Sequence, residues 1–122
     1  MTLLLFAVGG ALGALLRWSL GEAVPDAGGF PWTTFAINVA GSLVLAALPA
    51  LPAVRRRPPL TAALGPGLCG GFTTLSAYAE QTRTLLAAGE PLTAAGYVVG
   101  TLLACVLAVS YTHLTLPTNR EV

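Results

Sequence analysis

Charge is scarce in this sequence. Asp, Glu, Lys and Arg make up 9% of its 122 residues, where an ordinary soluble domain carries about a quarter. Lysine is absent, and six Arg stand against five acids for a net charge of +1. A nucleic-acid binder needs a basic stripe to neutralise phosphates, so none is expected here. With one His and two Cys, Cys69 and Cys105, the chain has neither the ligands for a zinc cluster nor a disulfide framework. No nucleophile–base pair or metal cluster is legible, which argues against an enzyme.

What is present is apolar. Hydrophobic residues account for 55% of the chain, with 14 Gly and 9 Pro. A soluble domain this small leaves much of its surface wet and has no place to hide so much apolar area. The composition therefore predicts a small integral membrane protein. A membrane-crossing helix needs about 20 mostly apolar residues, and four stretches qualify: 2–20, 32–53, 60–88 and 92–109. The first has no basic leader and reads as a retained helix, not a signal peptide. Residues 21–31, with Glu22, Pro25, Asp26 and paired glycines, read as a loop. Residues 54–59 read as a charged turn, and Gly89 as a helix stop.

The third stretch is long and contains "GPGLCGGFTTLS". Four Gly and one Pro within residues 65–71 disfavour a regular helix. Two half-helices joined by an unwound segment are expected, which a bilayer tolerates only when the segment is buried in protein or lines a cavity. Gly9/Gly13 and Gly96/Gly100 have the small-xxx-small spacing that lets helices approach closely. With four spans, Arg55–Arg57 and Arg120 lie on one side and Arg17 and Arg83 on the other. This slight bias favours both termini inside, and a bias so slight also suits dual topology.

Polar side chains in lipid are costly and face partners or a cavity. Asn38 is either helix–helix glue or an amide donor toward a permeant anion. Thr73, Thr74 and Ser76 either bond back to helix carbonyls or form a polar rail on a pore face. Carbonyls of an unwound stretch are good ligands for a hard monovalent cation, so "CGGFTT" is a candidate sodium site, above all where two copies meet. Phe72 and Tyr78 either pack or turn a positive ring edge toward a small anion. Arg17 either snorkels beside Trp18 or places a positive charge at a vestibule. Glu80 and Arg83 are spaced to pair, and the two Cys read as small apolar residues.

The segments "GGALGALLRW" (9–18), "PWTTFAINVAGS" (31–42) and "GLCGGFTTLSAYAE" (67–80), in this order and spacing, resemble the bacterial fluoride channel family Fluc, or CrcB, from Met1 to about Val109. The resemblance implies an all-α membrane protein of four transmembrane helices, the third broken, forming an antiparallel dual-topology dimer with itself or a paralogous subunit. It implies passive fluoride export through two pores, with a structural Na+ at the centre. By position it implies that the carbonyls of Gly70 and Thr73 hold the sodium. It places Asn38, Leu75, Tyr78, Tyr97 and Thr101 along the fluoride path and Arg17 in the first motif. Together with the polar rail and Phe72, the predicted path comprises Asn38, Phe72, Thr74, Leu75, Ser76, Tyr78, Tyr97 and Thr101, with Arg17 at the vestibule.

The sequence departs from the family pattern at several places. Leu75 and Tyr78 stand where two Phe are usual, and Leu75 has no aromatic edge to offer an anion. Gln81 stands at a frequent Glu, and Cys105 and Val109 replace later hydroxyls. Some family members pair unlike subunits, so a non-conducting half of a heterodimeric channel is an alternative. A small multidrug-type proton-coupled exporter is another; it would need an embedded acid that residues 2–20 lack. Residues 110–122, "SYTHLTLPTNREV", contain no Ala or Gly and read as a polar tail, either from another reading frame or a genuine polar terminus; His113 is given no role.

Overall fold

The computed structural model describes residues 1–115. All regular structure among them is helical. Helix α1 spans Thr2–Ala23 and α2 spans Trp32–Ala47, continued by a tight 3₁₀ turn at Leu48–Ala50. Short helices α3 (Pro52–Arg55) and α4 (Pro58–Ala62) turn the chain around. A π-helical segment, Ala63–Cys69, leads into α5 (Gly70–Phe72); α6 (Leu75–Ala87) and α7 (Pro91–Thr115) follow. Thr2–Ala23, Trp32–Ala50 and Pro91–Thr115 are each long and apolar enough to cross a membrane. At 1.5 Å per residue α1 alone reaches about 33 Å, against about 30 Å of hydrocarbon. Leu3, Leu12, Leu15, Leu103, Val106 and Leu107 point outward, as suits an apolar solvent.

The interior is small. Tyr97, 0% exposed, sits with Leu85 and Ala94 under Phe30, Phe35 and Tyr78. Phe30 meets the Tyr97 ring edge-on at 5.4 Å, a favoured aromatic geometry. A second cluster joins Leu48, Val54 and Cys69. α1 packs against the π-helical segment and α5, while α7 packs against α2 and α6.

The broken third segment differs from expectation in where it breaks. The glycines of 65–71 are wound, and the chain unwinds just after them, at Thr73 (φ −79°, ψ 160°) and Thr74 (φ −147°, ψ 122°). Pro66 lies inside the π-helical segment. It lacks an N–H, and its ring crowds the carbonyl one turn back, so the coil widens there instead of ending. The glycines serve close packing. A Cβ on Gly9 would overlap the Ala63 carbonyl oxygen, one on Gly13 the Leu68 carbonyl oxygen, and one on Gly71 the Gly10 carbonyl oxygen. Packing against α1 thus offsets the entropic cost of a glycine-rich coil. The β-branched Thr pair favours extended backbone, and the Thr74 hydroxyl caps α6 by accepting the Ala77 N–H at 3.1 Å.

Of the two small-xxx-small pairs, Gly9/Gly13 packs within the chain, whereas a Cβ at Gly96 or Gly100 would meet nothing within 4 Å. Helix α6 ends as expected at Gly89 (φ 76°). The Glu90 N–H reaches the Leu85 carbonyl and the Gly89 N–H that of Leu86, a Schellman closure. Helix α1 runs to Ala23, into the predicted loop. Helix α7 continues past Val109 to Thr115, its polar residues bonding back into it: Thr112 to the Ala108 carbonyl and Thr115 to that of Tyr111. The rest of the predicted tail, residues 116–122, lies outside the described residues.

Candidate functional site

The unwound pair Thr73–Thr74 is held from α2. The Asn38 side chain, 9% exposed, donates Nδ2–H to the Thr74 carbonyl at 3.1 Å and accepts the Thr74 N–H on Oδ1 at 2.9 Å. One amide thereby satisfies both backbone groups of an extended residue, which buried backbone requires. The amide has a second N–H beyond the one spent on Thr74.

This pairing diverts helical hydrogen bonds. In a continued helix the Thr74 N–H would bond the Gly70 carbonyl, and the Ala77 N–H would bond that of Thr73. The first goes to Asn38 Oδ1 and the second to Thr74 Oγ1. The Gly70 and Thr73 carbonyls therefore lose their helical donors. Their neighbours keep partners: the Cys69 carbonyl accepts the N–H and the hydroxyl of Thr73, both at 2.9 Å, and the Gly71 carbonyl accepts Arg17 Nε–H at 3.3 Å. No cluster of three or more His, Cys, Asp or Glu suited to a metal ion exists among the described residues. A cation here would be held by backbone oxygens.

Two clefts flank the crossing. One, of about 340 Å³, is lined by Asn38, Gly70, Thr73, Thr74, Leu75, Tyr78, Thr101 and Cys105 among others. Its Thr101 hydroxyl is buried and has no hydrogen-bond partner among the described residues. The other, of about 370 Å³, is lined by Arg17, Glu22, Asp26, Thr34, Thr74 and Gln81 among others. Thr74 belongs to both. A polar chain leads away from the second cleft: Tyr97 donates its hydroxyl to Gln81 Oε1 at 2.7 Å, and Gln81 Nε2 donates to Thr34 Oγ1 at 2.9 Å and to Asp26 Oδ2 at 3.3 Å.

The family model described as "CrcB-like protein, Camphor Resistance (CrcB)" matches residues 4–113. The chain belongs to the CrcB-like family. It is 52% identical over 90 residues to "Fluoride-specific ion channel FluC 1" of Thermobifida fusca, covering 71% of this chain and 72% of that protein. It is 43% identical over 112 residues to "Fluoride-specific ion channel FluC" of Paracoccus denitrificans, covering 88% of each. It is also 42% identical over 110 residues to "Fluoride-specific ion channel FluC 1" of Halobacterium salinarum, covering 90% of this chain and 89% of that protein. With its long apolar helices, this CrcB-like chain is a multi-pass membrane protein.

In this CrcB-like protein the sequence-predicted residues do not all meet. Asn38, Gly70, Thr73, Thr74, Leu75, Tyr78 and Thr101 share the first cleft. Leu75 is 77% exposed there, and the Tyr78 hydroxyl donates to the Val98 carbonyl at 3.0 Å. Ser76 is exposed, its hydroxyl 3.3 Å from that of Thr74. Phe72 lies apart, in an apolar cleft with Leu20, Trp32 and Ile37. Tyr97 is in the core. Arg17 does not simply snorkel: its bond to the Gly71 carbonyl places a cation on the end of a helix, where the dipole favours it. Glu80 and Arg83 pair at 2.6 Å as expected. Thr34, Gln81 and Asp26 carry the polar chain, and none was assigned a role from the sequence. A hint existed for Asp26, since Pro31 opens α2 without a side-chain cap and a nearby acid is the natural substitute.

Proposed function

We propose that this chain is a subunit of a fluoride channel that lowers cytoplasmic fluoride by passive export across the plasma membrane. The observation that carries the reading is the crossing at Thr73–Thr74, pinned by Asn38 between two clefts that share Thr74. The relatives' names supply the anion. Fluoride enters cells as neutral hydrogen fluoride and is trapped by dissociation. A membrane potential drives the anion out, with about 2.3 kcal/mol per charge for each 100 mV.

The broken segment counts as a fourth membrane span in this reading. Two copies, or this chain and a paralogous one, insert in opposite senses and bring their crossings together. The slight Arg bias, the exposed Leu75 and the uncovered Gly96 and Gly100 support that arrangement. Gly70 and Thr73 would hold a structural sodium ion through carbonyls that have lost their helical donors, a ligand type suited to a hard cation. When bound, sodium supplies positive charge at the crossing. Asn38 and Thr101 offer hydrogen bonds to a passing anion, and Arg17 draws anions to the second cleft. A proton-coupled exporter is disfavoured, because the only acid of α1 is Glu22, in its last turn.

The test is fluoride release from liposomes containing the purified protein, alone and with a paralogous partner, with chloride as the control anion. Fluoride is expected to leave faster than chloride. Replacing sodium on both sides with a large organic cation is expected to slow release. No fluoride release in either assembly would refute the channel reading, and release indifferent to sodium would refute the ion's role.

A further inference from the structure

We infer that Asp26 is a positioning residue for the anion path, acting through Gln81 and Thr34; the inference rests on the channel reading above. Pro31 brings neither an N–H nor a capping side chain to the start of α2; the Trp32 N–H turns back to the Phe30 carbonyl at 2.9 Å, and those of Thr33 and Thr34 have no partner within the helix. Gly28 (φ 95°) and Gly29 (φ 66°) bend the preceding loop through left-handed backbone. Asp26, ahead of that bend, lies over the helix start. One carboxylate oxygen accepts the Thr33 N–H at 2.9 Å. The other accepts the Thr34 N–H at 3.4 Å, the Thr34 hydroxyl at 3.2 Å and Gln81 Nε2–H at 3.3 Å.

The two oxygens thus divide the work. Oδ1 caps α2, while Oδ2, besides its long bond to the Thr34 N–H, orients two side chains that line the Arg17 cleft beside Thr74. Gln81 is left with no spare donor: both amide hydrogens are taken by Thr34 and Asp26, and its oxygen receives the Tyr97 hydroxyl. A loop carboxylate outside the long helices therefore sets which way the amide and hydroxyl dipoles at the cleft point. Side chains at a functional site keep their geometry only when such outer partners hold them.

Asp26→Asn separates the two tasks. Asparagine keeps one oxygen for the Thr33 N–H and is itself a good cap, but its amide nitrogen opposes Gln81 Nε2 donor to donor. Asp26→Asn and Gln81→Ala are each expected to slow fluoride release about tenfold, the scale of lost outer-partner contacts. Asp26→Asn added to Gln81→Ala is expected to slow release by clearly less than the product of the two single effects, because one of the two side chains it acts through is gone. The same cycle is read on the thermal unfolding of detergent-solubilised protein, where the two substitutions are again expected to be non-additive. Effects that multiply, or Asp26→Asn releasing fluoride at the wild-type rate, would overturn the inference while leaving the channel reading intact. Wild-type protein that releases no fluoride, alone or with a paralogous partner, would refute the channel reading instead. The unfolding cycle then judges the link between Asp26 and Gln81 alone, additivity overturning it.

Discussion

Asn38→Asp is expected to reduce fluoride release by about a thousandfold without dispersing the folded protein. The present amide makes two opposed bonds to one residue, giving Nδ2–H to the Thr74 carbonyl and taking the Thr74 N–H on Oδ1. Aspartate keeps the second bond and loses the first, leaving a carboxylate oxygen against a carbonyl oxygen. It also places a full negative charge in the cleft shared by Gly70, Thr73, Tyr78 and Thr101. At a separation of about 4 Å and an effective dielectric of about 20, two like charges repel by about 4 kcal/mol. Each 1.36 kcal/mol added to a barrier is tenfold in rate, so the penalty is about three orders of magnitude. Efflux from liposomes measures it, with size-exclusion chromatography and circular dichroism reporting on the fold. Efflux unchanged in a well-folded variant would show that Asn38 only fastens α2 to the crossing.

The second large effect falls on folding. A Cβ on Gly13 would overlap the Leu68 carbonyl oxygen and lie 2.8 Å from the Phe72 nitrogen. Both are backbone atoms, so no side chain can rotate away and the helices must part. Gly13→Ala is therefore expected to cost about 3 kcal/mol, the upper end of ordinary overpacking. Separating α1 from α5 would also withdraw Arg17 from the Gly71 carbonyl. Gly21→Ala is the internal control. It lies in the same helix with nothing within 4 Å of its Cβ, and alanine there is expected to be neutral or to stabilise by up to about 1 kcal/mol. Thermal unfolding in detergent compares the two. Equal stability of both variants would contradict the close packing of α1 on the broken segment.

The near-absence of charge and the lengths of the apolar stretches dictated a helical membrane chain, because hydrocarbon leaves backbone groups no partner outside their own helix. The Gly89 stop and the Glu80–Arg83 pair were equally legible, since each depends on residues three or four apart. The need for a break in the third span was legible too, and the unwound pair falls within the expected "CGGFTT", but after its glycines and not at them. Glycine and proline content reports a local cost; it does not report the α1 surface that offsets that cost and keeps residues 65–71 wound. The Thr pair unwinds because Asn38, 36 positions away, takes over its hydrogen bonds.

Long-range partners also account for the rest. Asp26 read as one residue of a polar loop, and Arg17 as a snorkelling cation. Their bonds to Thr34, Gln81 and Gly71 span 8, 55 and 54 positions. Composition and short spacings record what a residue can do with its immediate neighbours. Which carbonyls are stripped of donors, and which side chains face a cleft, depends on elements brought together from distant parts of the chain, where close packing selects the partner.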